Sequence, residues 1–421
     1  MTQENALKIL KSGVNVFLTG EPGSGKSYTI NQFRKWMDEE GIPYAITAST
    51  GIAATHIGGT TIHSWSGIGI KDEVTDLFVQ NIILNKPFVV KKIEYPEVLI
   101  IDEISMLNAD TLDNIEKIIS GVRGTHVTGE PFGGLQVILV GDFFQLPPVS
   151  KFGKEVKFAF ESKAWERLNL RVCYLTEQHR QSDPLFLDIL TKMRQEKMTA
   201  KDKKTLLQAF EGDAQSIDTR LFTHNLEVDT LNTKRLQEID APLFNYKMEE
   251  EGNEYLISVM KNNCLSPELL KLKVGATVMF TRNKFDEDSG EPEYVNGTIG
   301  TVIQLSNNFI SVKTHGGKII DVDQAEWTIE ENGQVKASII QYPLKLAWAI
   351  TIHKSQGMSL DHARIDLSKT FEYGQGYVAI SRVRDMKGLC IEGINEQAFA
   401  MHPKVTAIDQ LFRSKSEEIT V

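Results

Sequence analysis

The chain has 421 residues, a formal net charge of −10, 24% charged residues and 41% hydrophobic residues. This composition is ordinary for a globular protein, the length predicts about two to four domains, and no apolar run is long enough to span a membrane. Three scattered cysteines have neither metal-ligand spacing nor a disulfide pattern, and the first residues lack a basic leader, so we expect a cytoplasmic protein. The negative charge argues mildly against nucleic acid as a partner. Net charge is a weak guide for an enzyme that contacts a few phosphates in one groove, and binding of nucleic acid in such a groove would be sensitive to salt.

The first predicted unit in the chain is a strand, a loop and a helix. An apolar run at 14–18 precedes Gly20-Glu21-Pro22-Gly23-Ser24-Gly25-Lys26-Ser27, and a helical pattern follows at 28–39. Glycines let backbone N–H groups turn toward phosphate oxygens, Lys26 reaches the β- and γ-phosphates, and the Ser27 hydroxyl holds Mg²⁺. The alternative, a glycine-rich turn that matches by chance, does not explain this context. We therefore predict nucleoside triphosphate binding by Gly20, Gly23, Ser24, Gly25, Lys26, Ser27 and Tyr28.

The next predicted elements indicate two α/β domains. Buried strands are predicted at 44–47, 97–101 and 136–140, with helical patterns between them, which is typical of a sheet that binds ligands at the carboxyl ends of its strands. A second series of strands is predicted from Arg171–Leu175 onward. Short β-rich pieces and turn signals between 274 and 342 predict a small antiparallel barrel inserted into the second domain.

Two polar motifs follow strands of the first series and are candidates for hydrolytic chemistry. Asp102 and Glu103 end one strand, where Asp102 holds the Mg²⁺ water shell and Glu103 orients and deprotonates the attacking water. The alternative is an ordinary acidic turn. Gln145, in Gly141-Asp142-Phe143-Phe144-Gln145-Leu146-Pro147-Pro148, is placed to hydrogen-bond the γ-phosphate or the water. From these residues alone, a proline turn leaving a sheet explains the second motif equally well.

Two arginines in the predicted second α/β domain are candidates for stabilising the transition state. Phosphoryl transfer gains most from positive charge placed on the γ-phosphate. Arg180 lies in the segment 176–181 and Arg382 in the segment 377–384. If the second domain faces the first, both arginines complete the site only when the cleft closes, which would couple hydrolysis to domain motion. The alternative for each is a surface arginine.

The order of these motifs resembles that of superfamily 1B helicases and, more narrowly, of the Pif family of DNA helicases, which is related to RecD. The resemblance also rests on Thr47 to Ala54, Thr61 to Ser64, Ala349 to Gly357 and Ala379 to Arg382. The segment between Asp102 and Asp142 is similar to the family's own signature region. Together these motifs extend from Gln3 to about Leu389, which is nearly the whole chain.

The resemblance implies an α/β architecture of two RecA-like domains. The first would span 1–165, with a small wedge at about 67–94. The second would span 166–295 and 337–421, with an SH3-like β-barrel inserted at 296–336. Gln3 resembles the adenine-reading residue of the family, and Arg180 and Arg382 fall on its two arginine-finger positions.

The resemblance also implies the activity. An ATP-dependent enzyme with Mg²⁺ would move along single-stranded DNA from 5′ to 3′ and unwind duplex DNA. Its implied partners are single-stranded, forked duplex and G-quadruplex DNA, and its implied roles are DNA repair, recombination and telomere maintenance. The chain is similar to a bare helicase core of the bacterial or phage type, acting as a monomer.

Small hydroxyls and exposed backbone N–H groups are suited to DNA phosphates and impose no sequence preference. Two sets on two mobile domains would allow the protein to advance along a strand. The predicted set in the first domain is Thr47, Ser49, Thr50, Gly51 and His63, and that in the second is Thr351, His353, Lys354 and Ser355. Trp65, Phe143 and Trp348 are candidates for base stacking, with burial in a core as the alternative, which the apolar surroundings of Trp348 favour.

Other functions stay open at this point. An RNA helicase, or a translocase that strips proteins without unwinding, would share these motifs. A nucleotide-gated binding module would not need a complete hydrolytic set, so Glu103, Gln145 and the two arginines argue against it. A small-molecule kinase with a phosphate loop would not need the second α/β half.

Overall fold

A computed structural model describes residues 1–69, 71–125, 129–148, 155–181, 183–210, 219–285, 292–294, 296–331 and 334–419. The chain divides into two compact units. The first unit comprises Met1–Asp202, Phe371–Ser381 and Glu396–Val421, and the second comprises Lys203–Thr370 and Arg382–Asn395. Among the described residues, no helix combines the length and apolar character that crossing a membrane requires.

The strands of the described residues are, in chain order, β1 (Val16–Gly20), β2 (Tyr44–Ala48), β3 (Thr60–Thr61), β4 (Val98–Asp102), β5 (Gln136–Val140), β6 (Arg171–Leu175), β7 (Arg220–Phe222), β8 (Phe244–Lys247), β9 (Glu249–Gly252), β10 (Leu269–Leu272), β11 (Thr277–Phe280), β12 (Lys284–Phe285), β13 (Pro292–Tyr294), β14 (Ile299–Ser306), β15 (Phe309–Thr314), β16 (Ile319–Asp321), β17 (Ala325–Glu331), β18 (Gln334–Gln341), β19 (Leu344–Leu346), β20 (Ala349–Thr351), β21 (Ala363–Leu367) and β22 (Leu389–Ile394).

The α-helices of the described residues are, in the same order, α1 (Gln3–Lys11), α2 (Lys26–Glu40), α3 (Gly51–His56), α4 (Ile62–Trp65), α5 (Asp76–Asn85), α6 (Pro87–Glu94), α7 (Ala109–Val122), α8 (Lys163–Arg167), α9 (Pro184–Arg194), α10 (Ala200–Leu207), α11 (Asn225–Glu238), α12 (Glu254–Asn263), α13 (Gln375–Ile380) and α14 (Pro403–Glu417). The segment predicted as a wedge contains α5 and α6.

The first unit is built on a six-stranded parallel sheet in the order β3-β2-β4-β5-β1-β6. The central strand β1 is buried along its whole length, as its continuous apolar run predicts for a parallel strand covered on both faces. Leu18, Phe33, Ile100 and Val140 share one apolar core, which joins α2 to three of the strands. The carboxyl ends of β1, β4, β5 and β6 therefore meet at one edge of the sheet.

The second series of strands does not begin at Arg171–Leu175, and this part of the sequence-based prediction is wrong. β6 pairs in parallel with β1, so it belongs to the first sheet. The C-terminal helix α14 also belongs to the first unit, where the Tyr174 N–H donates to Ser416 Oγ and the Phe412 ring lies 5.0 Å from that of Phe17. An apolar strand can pair in either sheet, and its own sequence does not decide which. The first stretch of the compact unit that contains β6 extends to Asp202, and the domain bounds given above stay a prediction.

The second unit contains a four-stranded parallel sheet and antiparallel sheets. The parallel sheet has the order β20-β7-β21-β22. Two antiparallel sheets have the orders β16-β15-β14-β11-β19 and β17-β18-β9, so antiparallel pairing extends beyond the predicted insertion at 296–336 in both directions. Val278, Phe280, Val312 and Trp348 share a core in this unit. Trp348 is therefore a core residue, which is the alternative that its apolar surroundings in the sequence favour over base stacking.

Candidate nucleotide-binding site

The predicted phosphate loop lies between the carboxyl end of β1 and the start of α2. Gly23 and Gly25 have φ angles of +87° and +86°, in the left-handed region that residues other than glycine rarely adopt. A Cβ atom at Gly23 would collide with Arg180, and one at Gly25 would collide with the amide of Gln3. Both glycines are therefore required by backbone conformation and by the close approach of two other segments.

The ammonium group of Lys26 is held at the mouth of the loop. Its Nζ donates hydrogen bonds to the carbonyl oxygens of Gly20 at 2.8 Å and Glu21 at 3.1 Å. Burial lowers the pKa of Lys26, and the negative charges of Asp142 and Glu103 oppose that shift. An ammonium whose bonds among the described residues go to neutral carbonyls is available to a phosphate, which would offer it a full negative charge.

The remaining residues of the loop fit a phosphate ligand and a divalent cation. The Ser24 hydroxyl is fully buried and has no hydrogen-bond partner among the described residues. Such a group in a native structure indicates an absent ligand or water, and a phosphate oxygen would satisfy it. Ser27 and Tyr28 lie exposed on the first turn of α2, where the hydroxyl of Ser27 is accessible to a cation.

Gln3 lies against the phosphate loop. Its side-chain amide donates to the carbonyl of Ser24 at 3.2 Å, and its backbone N–H donates to a carboxylate oxygen of Glu177 at 2.9 Å. Thr2 caps the helix that begins at Gln3 by accepting the N–H of Asn5. The position of Gln3 is fixed by its contacts with the phosphate loop and with Glu177, whereas its recognition of adenine stays a prediction.

The acid pair lies where β4 ends. The Glu103 backbone has a φ of +50°, an uncommon conformation for a residue other than glycine and one that is frequent at active sites. Its N–H donates to Asp102 Oδ1 at 2.8 Å, and its carbonyl accepts the Ser49 hydroxyl at 2.7 Å. Burial and the neighbouring charge of Glu103 raise the pKa of Asp102 to about 7. Because Mg²⁺ prefers oxygen ligands, Asp102 and Ser27 are the residues that would hold it.

Gln145 lies in a tight turn at the end of β5. Asp142 Oδ1 accepts the N–H of Phe144 at 3.2 Å, and the Asp142 carbonyl accepts the N–H of Gln145 at 3.0 Å. Gln145 is only 6% exposed, which indicates a fixed position at the sheet edge. Phe143 packs edge-on against Phe160 and Trp165, so it is a core residue and the base-stacking prediction for it is wrong. Trp65 is buried in the same way, at 5% exposure.

Arg180 lies in the first unit. Its predicted place in the second domain is therefore wrong. Because β6 joins the first sheet, the segment that follows it passes over the phosphate loop. The His179 N–H donates to the Gly23 carbonyl at 2.9 Å, and Arg180 Nη1 donates to the carbonyl of Ser381 at 3.3 Å. Arg382 belongs to the second unit, where it is 2% exposed, and its approach to the nucleotide stays a prediction.

Three of the hydroxyls predicted to bind DNA are buried and point to the backbone. The Thr47 hydroxyl donates to the Ile100 carbonyl at 2.7 Å, and that of Ser355 donates to the Ile352 carbonyl at 2.7 Å. Thr351 is 3% exposed, and its Oγ1 accepts the N–H of Lys354 at 3.3 Å. These bonds hold the hydroxyls against the backbone near the ends of their strands, and their contact with DNA phosphates stays a prediction. Ser49 is held in the same way by its bond to the backbone beside β4.

The other predicted DNA contacts are more accessible. Thr50, Gly51, His63 and His353 are half-buried, and Lys354 is exposed. Burial lowers the pKa of His63, which favours its neutral form. These five positions stay predicted contacts.

The sequence analysis missed Lys345, which lies on β19 in the second unit. Its ammonium nitrogen is enclosed and has no hydrogen-bond partner among the described residues. Burial and the charge of Lys354 lower the pKa of Lys345 to about 7. A nearby phosphate would supply the absent partner, so Lys345 joins Lys354 as a candidate DNA contact. The lysine lies inside an otherwise apolar strand, which was the only signal in the sequence.

The sequence analysis also missed a buried polar cluster beside the site, which contains Glu21, Asp142, Tyr174, Arg194 and Tyr377. Its centre is an arginine on the apolar face of α9. A charged residue at a buried position of an amphipathic helix is a usable signal, since such a charge requires a partner.

A phosphate loop on one strand, an acid pair two strands away and a polar turn on the strand between them are the arrangement of RecA-like nucleoside triphosphatases. The family described as PIF1-like helicase matches residues 3–219, and that described as the 2B domain of the DNA helicase Pif1 matches residues 254–305. The chain belongs to the PIF1-like helicase family, which confirms the resemblance and the enzyme class predicted from its motifs.

Two bacterial relatives are similar over most of their length. An ATP-dependent DNA helicase Pif1 of Psychrobacter sp. (strain PRwf-1) is 38% identical over 475 residues, covering 99% of this chain and 72% of the relative. An ATP-dependent DNA helicase Pif1 of Bdellovibrio bacteriovorus is 38% identical over 405 residues, covering 96% of this chain and 90% of the relative.

Solved structures of the family share the fold. The Pif1 helicase of Candida albicans has a TM-score of 0.79 at 34% identity, covering 97% of this chain and 98% of that one. A Bacteroides Pif1 helicase in complex with ADP-AlF3 and single-stranded DNA has a TM-score of 0.67 at 30% identity, covering 99% of this chain and 97% of that one. A structure of two coordinating Pif1 helicases at forked double-stranded DNA has a TM-score of 0.66 at 30% identity, covering 99% and 97%.

Proposed function

We propose that the chain hydrolyses ATP, with Mg²⁺, to move along single-stranded DNA from 5′ to 3′ and to unwind forked duplex DNA. The observation that carries this proposal is the set of hydrolytic groups at one edge of the first sheet, Lys26, Asp102, Glu103 and Gln145, beside a phosphate loop with a buried unsatisfied hydroxyl. The complexes of related helicases with a nucleotide analogue and with DNA support the choice of ligands. The direction of movement comes from family membership.

The roles of the residues follow from their positions. Backbone N–H groups of the loop and Lys26 would bind the β- and γ-phosphates. Bound Mg²⁺ would neutralise charge on these phosphates, held by Ser27 and Asp102. Glu103 would orient the attacking water and accept its proton, since it directly follows Asp102 at the end of β4 and has a left-handed backbone conformation of the kind found at active sites. Gln145 would hydrogen-bond the γ-phosphate or that water.

The arginines would act on the transition state. Arg180 is packed so closely on the loop that the Gly23 position tolerates no side chain, which supports a contact with the phosphates. Arg382 would join from the second unit when nucleotide and DNA are bound, and hydrolysis would then depend on DNA. The proposed monomeric state, the binding of G-quadruplex DNA, and roles in repair, recombination and telomere maintenance extend this function and rest on the family.

The test is ATP turnover with and without single-stranded DNA and RNA of matched sequence. We expect strong stimulation by DNA of any sequence, because binding that bridges both units favours the hydrolytic conformation. Raising the salt concentration should weaken the stimulation, since phosphate contacts release counterions. Stronger stimulation by RNA would favour an RNA translocase, and turnover that is indifferent to both would favour a nucleotide-gated binding module.

A further inference from the structure

Among the described residues of the first unit, the guanidinium group of Arg194, the last residue of α9, is one of the most deeply buried charges. It is 1% exposed. Its Nη1 donates to Asp142 Oδ2 at 2.6 Å and to the Tyr377 hydroxyl at 3.1 Å, and its Nη2 donates to the Tyr174 hydroxyl at 2.8 Å. The ring of Phe144 lies 4.1 Å from the guanidinium carbon. A charge so buried is tolerated only because its partners are fixed around it.

The partner of Arg194 is the residue that builds the turn before Gln145. One carboxylate oxygen of Asp142 bonds Arg194, while the other accepts the N–H of Phe144 and the main-chain carbonyl accepts the N–H of Gln145. The orientation of this carboxylate therefore sets the path of the turn. Removing the guanidinium group would release the oxygen that fixes that orientation.

Arg194 also faces the phosphate loop. Its Nε lies 3.9 Å from a carboxylate oxygen of Glu21, whose main-chain carbonyl binds the ammonium of Lys26. The negative charge of Asp142 acts on the ammonium of Lys26, and the positive charge of Arg194, 2.6 Å from Asp142 Oδ2, opposes it. While Arg194 is present, it compensates the negative charge of Asp142. Without it, a buried carboxylate would compete with the phosphates of ATP for Lys26.

We propose that Arg194 is a positioning residue for ATP hydrolysis, which neutralises Asp142 so that Lys26 stays available to the nucleotide and the Gln145 turn keeps its shape. This inference rests on the proposed ATPase function. It assigns a catalytic consequence to the buried polar cluster around Arg194.

A purely structural role is the competing explanation. The Tyr174 hydroxyl also accepts a hydrogen bond from Arg413 at 2.6 Å and donates to Asp409 at 3.0 Å, and both partners lie on α14. Arg194 could thus serve only to fasten α14 and α13 to the sheet. The two roles differ in their consequence for Asp142. Only the positioning role predicts that, in a protein without the Arg194 guanidinium, removing the charge of Asp142 restores nucleotide binding.

The experiment measures ATPase kinetics, affinity for a fluorescent ADP analogue and thermal stability in Arg194→Met, Asp142→Asn and the double variant. We expect Arg194→Met to lower kcat and weaken ADP-analogue binding by about tenfold to 100-fold each. Since the uncompensated charge is then gone, the double variant should bind the analogue within about threefold of Asp142→Asn alone. A double variant that binds no better than Arg194→Met, or an Arg194→Met variant with unchanged affinity and kcat, would overturn the proposal.

Two further variants keep the test decisive. Arg194→Lys retains the positive charge but loses the planar set of guanidinium N–H donors, so it should keep affinity for the analogue and lower kcat. Loss of affinity in a folded Arg194→Lys protein would contradict the charge argument.

Arg123 is a matched control in the same unit, since it donates to the carbonyls of Gly133, Ile93, Glu94 and Pro96. Arg123→Met should lower thermal stability and leave affinity for the analogue unchanged. If wild-type protein binds the analogue without hydrolysing ATP, the proposed function fails, and the affinities still test the role of Arg194.

Discussion

Lys26→Ala is expected to reduce ATP turnover by at least about 1,000-fold. Among the described residues, the ammonium group donates to the main-chain carbonyls of Gly20 and Glu21, so its removal deletes the positive charge that the loop offers to the β- and γ-phosphates. Affinity for single-stranded DNA without nucleotide should change little, because no predicted DNA contact involves Lys26.

The measurement is steady-state ATPase with saturating DNA, together with fluorescence anisotropy of labelled DNA. Lys8→Ala is the control, since Lys8 is 58% exposed on α1 and pairs with Glu4 one turn away. That variant should retain wild-type turnover. Turnover of Lys26→Ala within a few-fold of wild type would show that the loop is not the hydrolytic site.

Glu103→Gln is expected to bind nucleotide as tightly as wild type and to hydrolyse ATP about 100-fold to 1,000-fold more slowly. Glutamine keeps the shape of the side chain but cannot accept the proton of the attacking water. The backbone at this position is already strained, with a φ of +50°, and is held by the Ser49 hydroxyl and Asp102. The substitution leaves these main-chain contacts intact.

A single-turnover assay with radiolabelled ATP separates the chemical step from binding, and binding is measured with the fluorescent ADP analogue. Glu97→Gln is the matched control, because Glu97 is exposed just before the same strand. It should behave as wild type in both assays. A Glu103→Gln protein that loses nucleotide affinity while hydrolysing bound ATP normally would assign Glu103 to binding and not to proton transfer.

Much of the first unit is predictable because its information is local. The phosphate loop, with Gly23, Gly25 and Lys26, is one continuous segment whose chemistry depends on spacing within it. The acid pair and the Gln145 turn follow apolar runs, and parallel strands bring their carboxyl ends to one edge. The sequence therefore identifies which residues meet, although not their distances.

The position of Arg180 was not predictable because it depends on which sheet accepts β6. The sequence of β6 is an apolar run that would suit either sheet, and its partners β1 and α14 both lie far from it in sequence. The same reason hides Arg194, whose partners come from the turn after β5, from β6 and from α13.

Side-chain direction is the second kind of information that the motifs lack. Thr47 and Ser355 have the residue type that DNA phosphates favour, yet both hydroxyls bond main-chain carbonyls. A hydroxyl near a strand end can stabilise the backbone or face a ligand, and the same residue type serves both purposes. Burial distinguishes the two roles, and burial depends on the whole fold.

The central claim is ATP-driven unwinding of DNA from a 5′ tail. Its most direct test is strand displacement on two duplexes of identical sequence, one with a single-stranded 5′ tail and one with a 3′ tail, with Lys26→Ala as the inactive reference. The account predicts ATP-dependent displacement from the 5′-tailed duplex and none above the reference from the 3′-tailed one. Preferential displacement from the 3′-tailed duplex, or displacement from neither by a protein that hydrolyses ATP on DNA, would contradict it.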